Sequence, residues 1–297
     1  MKKLSIGLLS LLLIACASGS SQEIENQKSE NSELKVATVI YPNQYLLENL
    51  LNQSVLSLSG DKHIHEFKPS AKELSDLFKM DLIVIQSRNL ETFVWELKDQ
   101  LEEKNVYLLE LEPNGNYHTW LDPVKTLENI DVIKNTILEL NPNLEAEIDE
   151  NYEIFKDKIS NIELSYSQNL VNCELDHVLV SHNFIDTVAN SYGFKVDSLV
   201  NEDHFVGFSA KKFVETMKSK HEYILSEPQY KHDIEEVLDE NHEEDDHGHA
   251  SVEDVLGEDL ANFEVLEIIP IEDSKVEYLD ALEQNLKTLK TALKCQK

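Results

Sequence analysis

The chain has 297 residues, with 57 Asp and Glu against 26 Lys and Arg, a formal charge of −31 at pH 7. So acidic a surface excludes nucleic acid and anionic lipid headgroups as partners, and it draws cations only weakly and without selectivity. The same charge also serves simple solubility.

Lys2 and Lys3 precede an apolar run from Leu4 to Ala15. A bilayer span takes about 20 apolar residues, so this run is too short to be one and reads as a signal peptide, residues 1–15. It closes on Leu13-Ile14-Ala15-Cys16, the form of a lipobox in which Cys16 is lipidated and becomes the new N-terminus. Residues 16–33 are Ser, Gln, Glu and Asn with few apolar groups, and read as a flexible tether. The remainder is long enough for two domains of about 100–150 residues.

From residue 34 apolar runs alternate with helical patterns. Strands are expected at 34–40, 55–59, 82–86 and 106–109. A helix is expected from about Asn43, a second from the capping box Ser70-Ala71-Lys72-Glu73 to about Lys79, and a third from about Leu90 to Lys104. Asp122-Pro123 supplies an N-cap and N1 pair for a fourth, ending near Leu140. From Pro142 to about Leu170 apolar residues recur at helical spacing (Leu144, Ile148, Tyr152, Phe155, Ile159, Ile162) without a breaker, which predicts one long stiff helix. Strands then follow near 178–180, 195–199, 223–225 and 265–269. The helix after His182 ends at Gly193, a natural C′ residue, and further helices start near Ser209, Lys231 and Val276. Alternating βα units imply an α/β chain with two parallel sheets flanked by helices. The domains are therefore 34–141, a connecting helix 142–171, and 172–297. The second domain carries an acidic His-rich loop, 241–262, whose His242, His247 and His249 offer weak metal affinity by composition alone.

Ligands of open parallel sheets sit beyond the carboxyl ends of the strands. His65, His118, His182 and Glu272 each follow an expected strand, two from each half. One such histidine alone is more simply a satisfied or exposed side chain. Three imidazoles and a carboxylate converging on the same edges make a first shell for a transition metal between the domains. The chain holds no Gly-Xaa-Ser-Xaa-Gly elbow, Walker loop or dinucleotide fingerprint, and His242-Glu243 lacks the second His that a zinc-protease helix needs at i+4. Cys173 and Cys295 are the pair left once Cys16 is lipidated; they are either bridged or two separate thiols.

The motifs His65-Glu66-Phe67 with Pro69-Ser70, Asn89-Leu90-Glu91, His118-Thr119-Trp120-Leu121-Asp122-Pro123, Ser181-His182 with Tyr192-Gly193, and Glu227-Pro228-Gln229 resemble those of the metal-binding lipoproteins of bacterial ABC importers for zinc and manganese. Tyr41-Pro42, Tyr278 and Asn285-Leu286 extend the resemblance over most of the chain from Leu34 to Lys294. It implies two pseudo-symmetric α/β lobes joined by a rigid helix, one interlobe site, and ligand roles for His65, His118 and His182. The fourth ligand is Glu272, in a turn similar to the relatives' own, or else Glu267 or Asp273. Departures are Ile64 in place of a proline, Ile185 and Thr187 in place of aromatics, and a His-rich tract in the second lobe rather than before the second ligand. The expected function is capture of Zn²⁺ by a lipid-anchored, monomeric receptor on the outer face of the cell membrane, which passes the ion to a membrane ABC permease and catalyses no reaction. The alternatives are the same receptor for Mn²⁺, a zinc-dependent hydrolase, or a surface adhesin.

Overall fold

The computed structural model describes residues 33–60, 62, 64, 67–113, 117–200, 222–228 and 264–296. Its first sheet has the order β2 (Leu56–Ser57), β1 (Val36–Thr38), β3 (Leu82–Ile85), β4 (Tyr107–Glu110), all parallel. The second has the order β6 (Lys195–Val200), β5 (His177–His182), β7 (Tyr223–Ser226), β8 (Glu264–Glu267), again all parallel. The two sheets share one strand order, which is the pseudo-symmetry of the lobes. In each, the order reverses between its first and third strands, the place beyond whose strand ends open α/β sheets bind their ligands. β3 is Leu-Ile-Val-Ile with all four residues buried, because helices cover both faces of a parallel sheet.

The helices follow from local signals. In α1 (Tyr41–Leu51) Pro42 occupies the first turn, where its missing N–H is harmless. α2 (Ala71–Leu77) opens on the expected capping box: Glu73 N–H donates to Ser70 Oγ at 3.3 Å, and Ser70 N–H to Glu73 Oε2 at 2.6 Å. The stretch expected as one helix over 90–104 is two, α3 (Thr92–Trp95) and α4 (Lys98–Glu103). Leu97 N–H turns back to the Val94 carbonyl, a tighter i→i−3 closure that ends the first piece. α5 (Pro123–Leu140) is capped by Asp122, whose carboxylate accepts from Val124 N–H at 3.0 Å.

α6 (Glu145–Asn169) is the long helix, preceded by a 3₁₀ turn at Pro142–Leu144. Its 25 residues would extend about 37 Å at 1.5 Å per residue. It is more than a strut. Ile148, Tyr152, Phe155, Ile159, Ile162 and Tyr166 form a buried stripe, and the helix packs on α1 and α5 of the first lobe and on α8 (Tyr278–Ala292) of the second. Buried apolar side chains form one continuous cluster through both lobes. Polar pins reinforce it: Tyr166 O–H donates to the Leu282 carbonyl at 2.7 Å, Tyr278 O–H to the Trp120 carbonyl at 2.6 Å, and Ser191 O–H to Asp122 Oδ2 at 2.6 Å. Tyr45 O–H donates to Glu277, the N-cap of α8.

α7 (Asp186–Tyr192) ends at Gly193, which holds φ +77° as the expected C′ residue. β8 stops at Glu267, two residues short of the expected end, because Asn285 of α8 takes over the backbone of Ile269. Cys173 and Cys295 face each other across an isolated antiparallel bridge and are joined as a disulfide. Helices expected near Ser209 and Lys231, the loop 241–262, Cys16 and residues 1–32 lie outside the described residues.

Candidate metal centre

His182 is the last residue of β5, a strand buried from Val178 onward. β7 pairs with β5 at Val180↔Leu225. Continuing that register by two residues sets His182 beside Glu227, the first residue past β7. His182 Nε2 indeed lies 3.4 Å from Glu227 Oε2, both side chains being buried. This pair sits where the strand order of the second sheet reverses.

His118 comes from the first lobe. It does not follow β4 directly but stands in a 3₁₀ turn, His118–Leu121, fixed by the Asp122 cap behind it. Its ring is buried against Tyr117 (centroids 4.5 Å apart) and Trp120 (5.2 Å), and it meets the His182 ring edge-on at 5.7 Å. The two imidazoles therefore converge from opposite lobes. Polar support lies next to His118: Gln86 Nε2–H donates to Thr119 Oγ1 at 2.6 Å. Gln86 and Ser87 are held in turn by backbone N–H bonds to the buried carboxylate of Glu91, at 3.0 and 2.9 Å.

Glu272 lies beyond β8 and is 3 % exposed. Burial pushes its carboxyl up to about 8, although the Ile64 backbone N–H facing it acts in the opposite direction. Burial and the neighbouring Glu272 carboxylate push Glu227 well above the ordinary range. The fold thus sets two imidazoles and two acids in a water-poor chain of neighbours, His118 to His182 to Glu227 to Glu272. Like charges there resist joint ionisation, and a cation among them would relieve the repulsion. Of the other candidates for the fourth ligand, Glu267 is exposed at the strand end and Asp273 pairs with Lys275.

His65 lies outside the described residues, as do His242, His247 and His249. Among the described residues no three His, Cys, Asp or Glu side chains close into a ligand cluster. What the structure shows is pairwise: His118 meets His182, His182 meets Glu227, and Glu227 neighbours Glu272; attention to imidazoles alone overlooks Glu227. A signal for it existed. Glu227 follows an expected strand just as the other candidates do, and a carboxylate there is a ligand by type.

The fold is a two-lobed α/β protein of paired parallel sheets, in which a buried histidine of each lobe meets the other. Residues 36–292 match the family described as "Zinc-uptake complex component A periplasmic", and the chain belongs to that family. It is 24% identical to the zinc-binding lipoprotein AdcA of Streptococcus pneumoniae over 98% of its own length, and spans 61% of that relative. It is 20% identical to the high-affinity zinc uptake system protein ZnuA of Bacillus subtilis, covering 95% of this chain and 94% of that protein. The fold is shared with the Zn(II)-bound ZnuA-like domain of S. pneumoniae AdcA (TM-score 0.69, 20% identity, 88% of this chain and 99% of that one). It is also shared with the laminin-binding protein Lbp of Streptococcus pyogenes (TM-score 0.70, 21% identity, 88% and 99%).

Proposed function

We propose that this chain is an extracytoplasmic receptor that captures Zn²⁺ between its lobes and hands it to a membrane ABC permease, itself catalysing no reaction. The observation that carries the reading is the meeting of His118 and His182 across the lobes, with Glu227 against His182 and the buried Glu272 near Glu227. His65 is proposed as the third imidazole; it neighbours Ile64, whose N–H faces Glu272. Imidazole nitrogens with one carboxylate suit a four-coordinate Zn²⁺. The names of relatives such as the B. subtilis zinc uptake protein support the same ion. Cys16 is proposed to carry a lipid that holds the monomer at the membrane, and the His-rich tract with His242, His247 and His249 to bind zinc weakly as an accessory.

The test is zinc titration of the mature protein against a chromophoric chelator. One tight site is expected, and His118→Ala or His182→Ala lowers its affinity by more than about 100-fold, while circular dichroism stays that of a folded chain. Unchanged tight binding in both variants refutes the site.

One observation favours a second reading, the same receptor for Mn²⁺. Glu227 touches His182, and two carboxylates with fewer imidazoles make the oxygen-rich shell that manganese prefers. In the zinc reading Glu227 is instead the partner of the His182 ring, orienting it from outside the shell.

A further inference from the structure

Glu272 is carried by backbone held in an unfavourable shape. Ile271, immediately before it, has φ +59°. That left-handed conformation crowds the Cβ of any L-residue, and a β-branched side chain most of all. Such residues persist only where their surroundings over-determine them, and they cluster at ligand sites. Ile271 is itself buried, so its side chain cannot swing out to relax the backbone.

Two side chains hold the residues before it. Asn285 of α8 accepts from Ile269 N–H through Oδ1 at 2.8 Å and donates through Nδ2 to the Ile269 carbonyl at 2.9 Å. It stands where a neighbouring strand would, and ends β8. Trp120 reaches from the first lobe, and its Nε1–H donates to the Pro270 carbonyl at 2.8 Å. Both are buried. With both carbonyls fixed, the chain turns at Ile271 and delivers the Glu272 carboxylate to the Ile64 N–H and to Glu227.

We propose that Asn285 and Trp120 are positioning residues for the metal ligand Glu272. They pin Ile269 and Pro270 so that the strained Ile271 aims the carboxylate into the crevice. Trp120 has a second effect. It lies two residues from His118, so its bond to Pro270 holds a first-lobe ligand and a second-lobe ligand in one register. The proposal rests on the reading of Glu272 as a ligand given above.

The experiment places Trp120→Phe and Asn285→Ala, each alone, in the full mature chain and in a Glu272→Ala background. Trp120→Phe removes the N–H donor and keeps an aromatic ring. Zn²⁺ affinity is read by chelator competition, the visible spectrum of the Co²⁺-loaded protein reports the shell, and melting in EDTA reports folding. The expected result is a loss of about tenfold for each variant in the parent chain, almost none in the Glu272→Ala background, and a Co²⁺ spectrum for Trp120→Phe moved toward that of Glu272→Ala. Equal losses in both backgrounds, or none in the parent, overturn positioning through Glu272. Should Asn285→Ala fail to fold, Trp120→Phe decides alone. If Glu272→Ala itself leaves zinc affinity intact, the ligand assignment is what fails, and the positioning role falls with it. If the parent binds no zinc, the receptor reading fails first.

Discussion

Glu227 and Glu272 end in the same buried spot because their strands end on the same sheet edge, not because the two groups attract. Each folded carboxyl therefore holds its proton more tightly than it would in an unfolded chain. The sign of the linkage follows. In the metal-free protein the protonated Glu272 favours the fold fully below the ordinary glutamate range, and that contribution is lost as pH rises toward and through about 8. As the zinc ligand proposed here, Glu272 would have to be ionised, so binding would expel its proton. Titration calorimetry at pH 7 in buffers of different ionisation enthalpy should show proton release on Zn²⁺ binding, and Glu272→Gln should remove most of it. Affinity should climb with pH and flatten above about 8. Binding without proton release at pH 7 would mean that Glu272 is not a ligand.

Among elements, the tie between the start of the second lobe and the end of α8 is the one most open to test. Cys173 and Cys295 lie 122 residues apart in sequence, and closing a loop of that size stabilises by about 2–5 kcal/mol. Urea unfolding of the oxidised protein should therefore need more denaturant than after reduction, and the denatured, unreduced mature chain should label at neither cysteine. Full labelling of both would remove the bridge. The elements themselves were largely legible in the sequence, because their causes are local: the Ser70–Glu73 box, the Asp122-Pro123 start, Gly193 at a helix end, the apolar stripe of α6. Less was legible where a distant group decides. Nothing near Ile269 shows that β8 will stop short, since the group that stops it is Asn285, and nothing near Pro270 shows that Trp120 will hold it. The site divided in the same way. His182 could be placed at a strand end by periodicity, whereas His118 stands in a 3₁₀ turn after β4 and Glu272 lies past the end of β8. The contact of His182 with Glu227 depends on the β5–β7 register, which the amino-acid sequence alone does not display.

At the scale of the whole molecule, the two lobes share one buried cluster, with α6 and α8 packed across them. Selectivity is therefore to be sought in the side chains that this shared core positions. The anchoring of the protein is tested by Cys16→Ala, which should move it from the membrane fraction to the soluble one; retention in the membrane would refute a lipid at Cys16. One Zn²⁺ is proposed to be held between the lobes by His65, His118, His182 and Glu272. Zinc-edge X-ray absorption on the purified mature protein, paired with a zinc-bound crystal structure, tests it most directly. Three imidazole nitrogens and a carboxylate oxygen at about 2.0–2.2 Å in tetrahedral array are expected, with Glu227 beside His182 and outside the shell. A shell with both Glu227 and Glu272 bound, or one without His182, would contradict it and favour manganese.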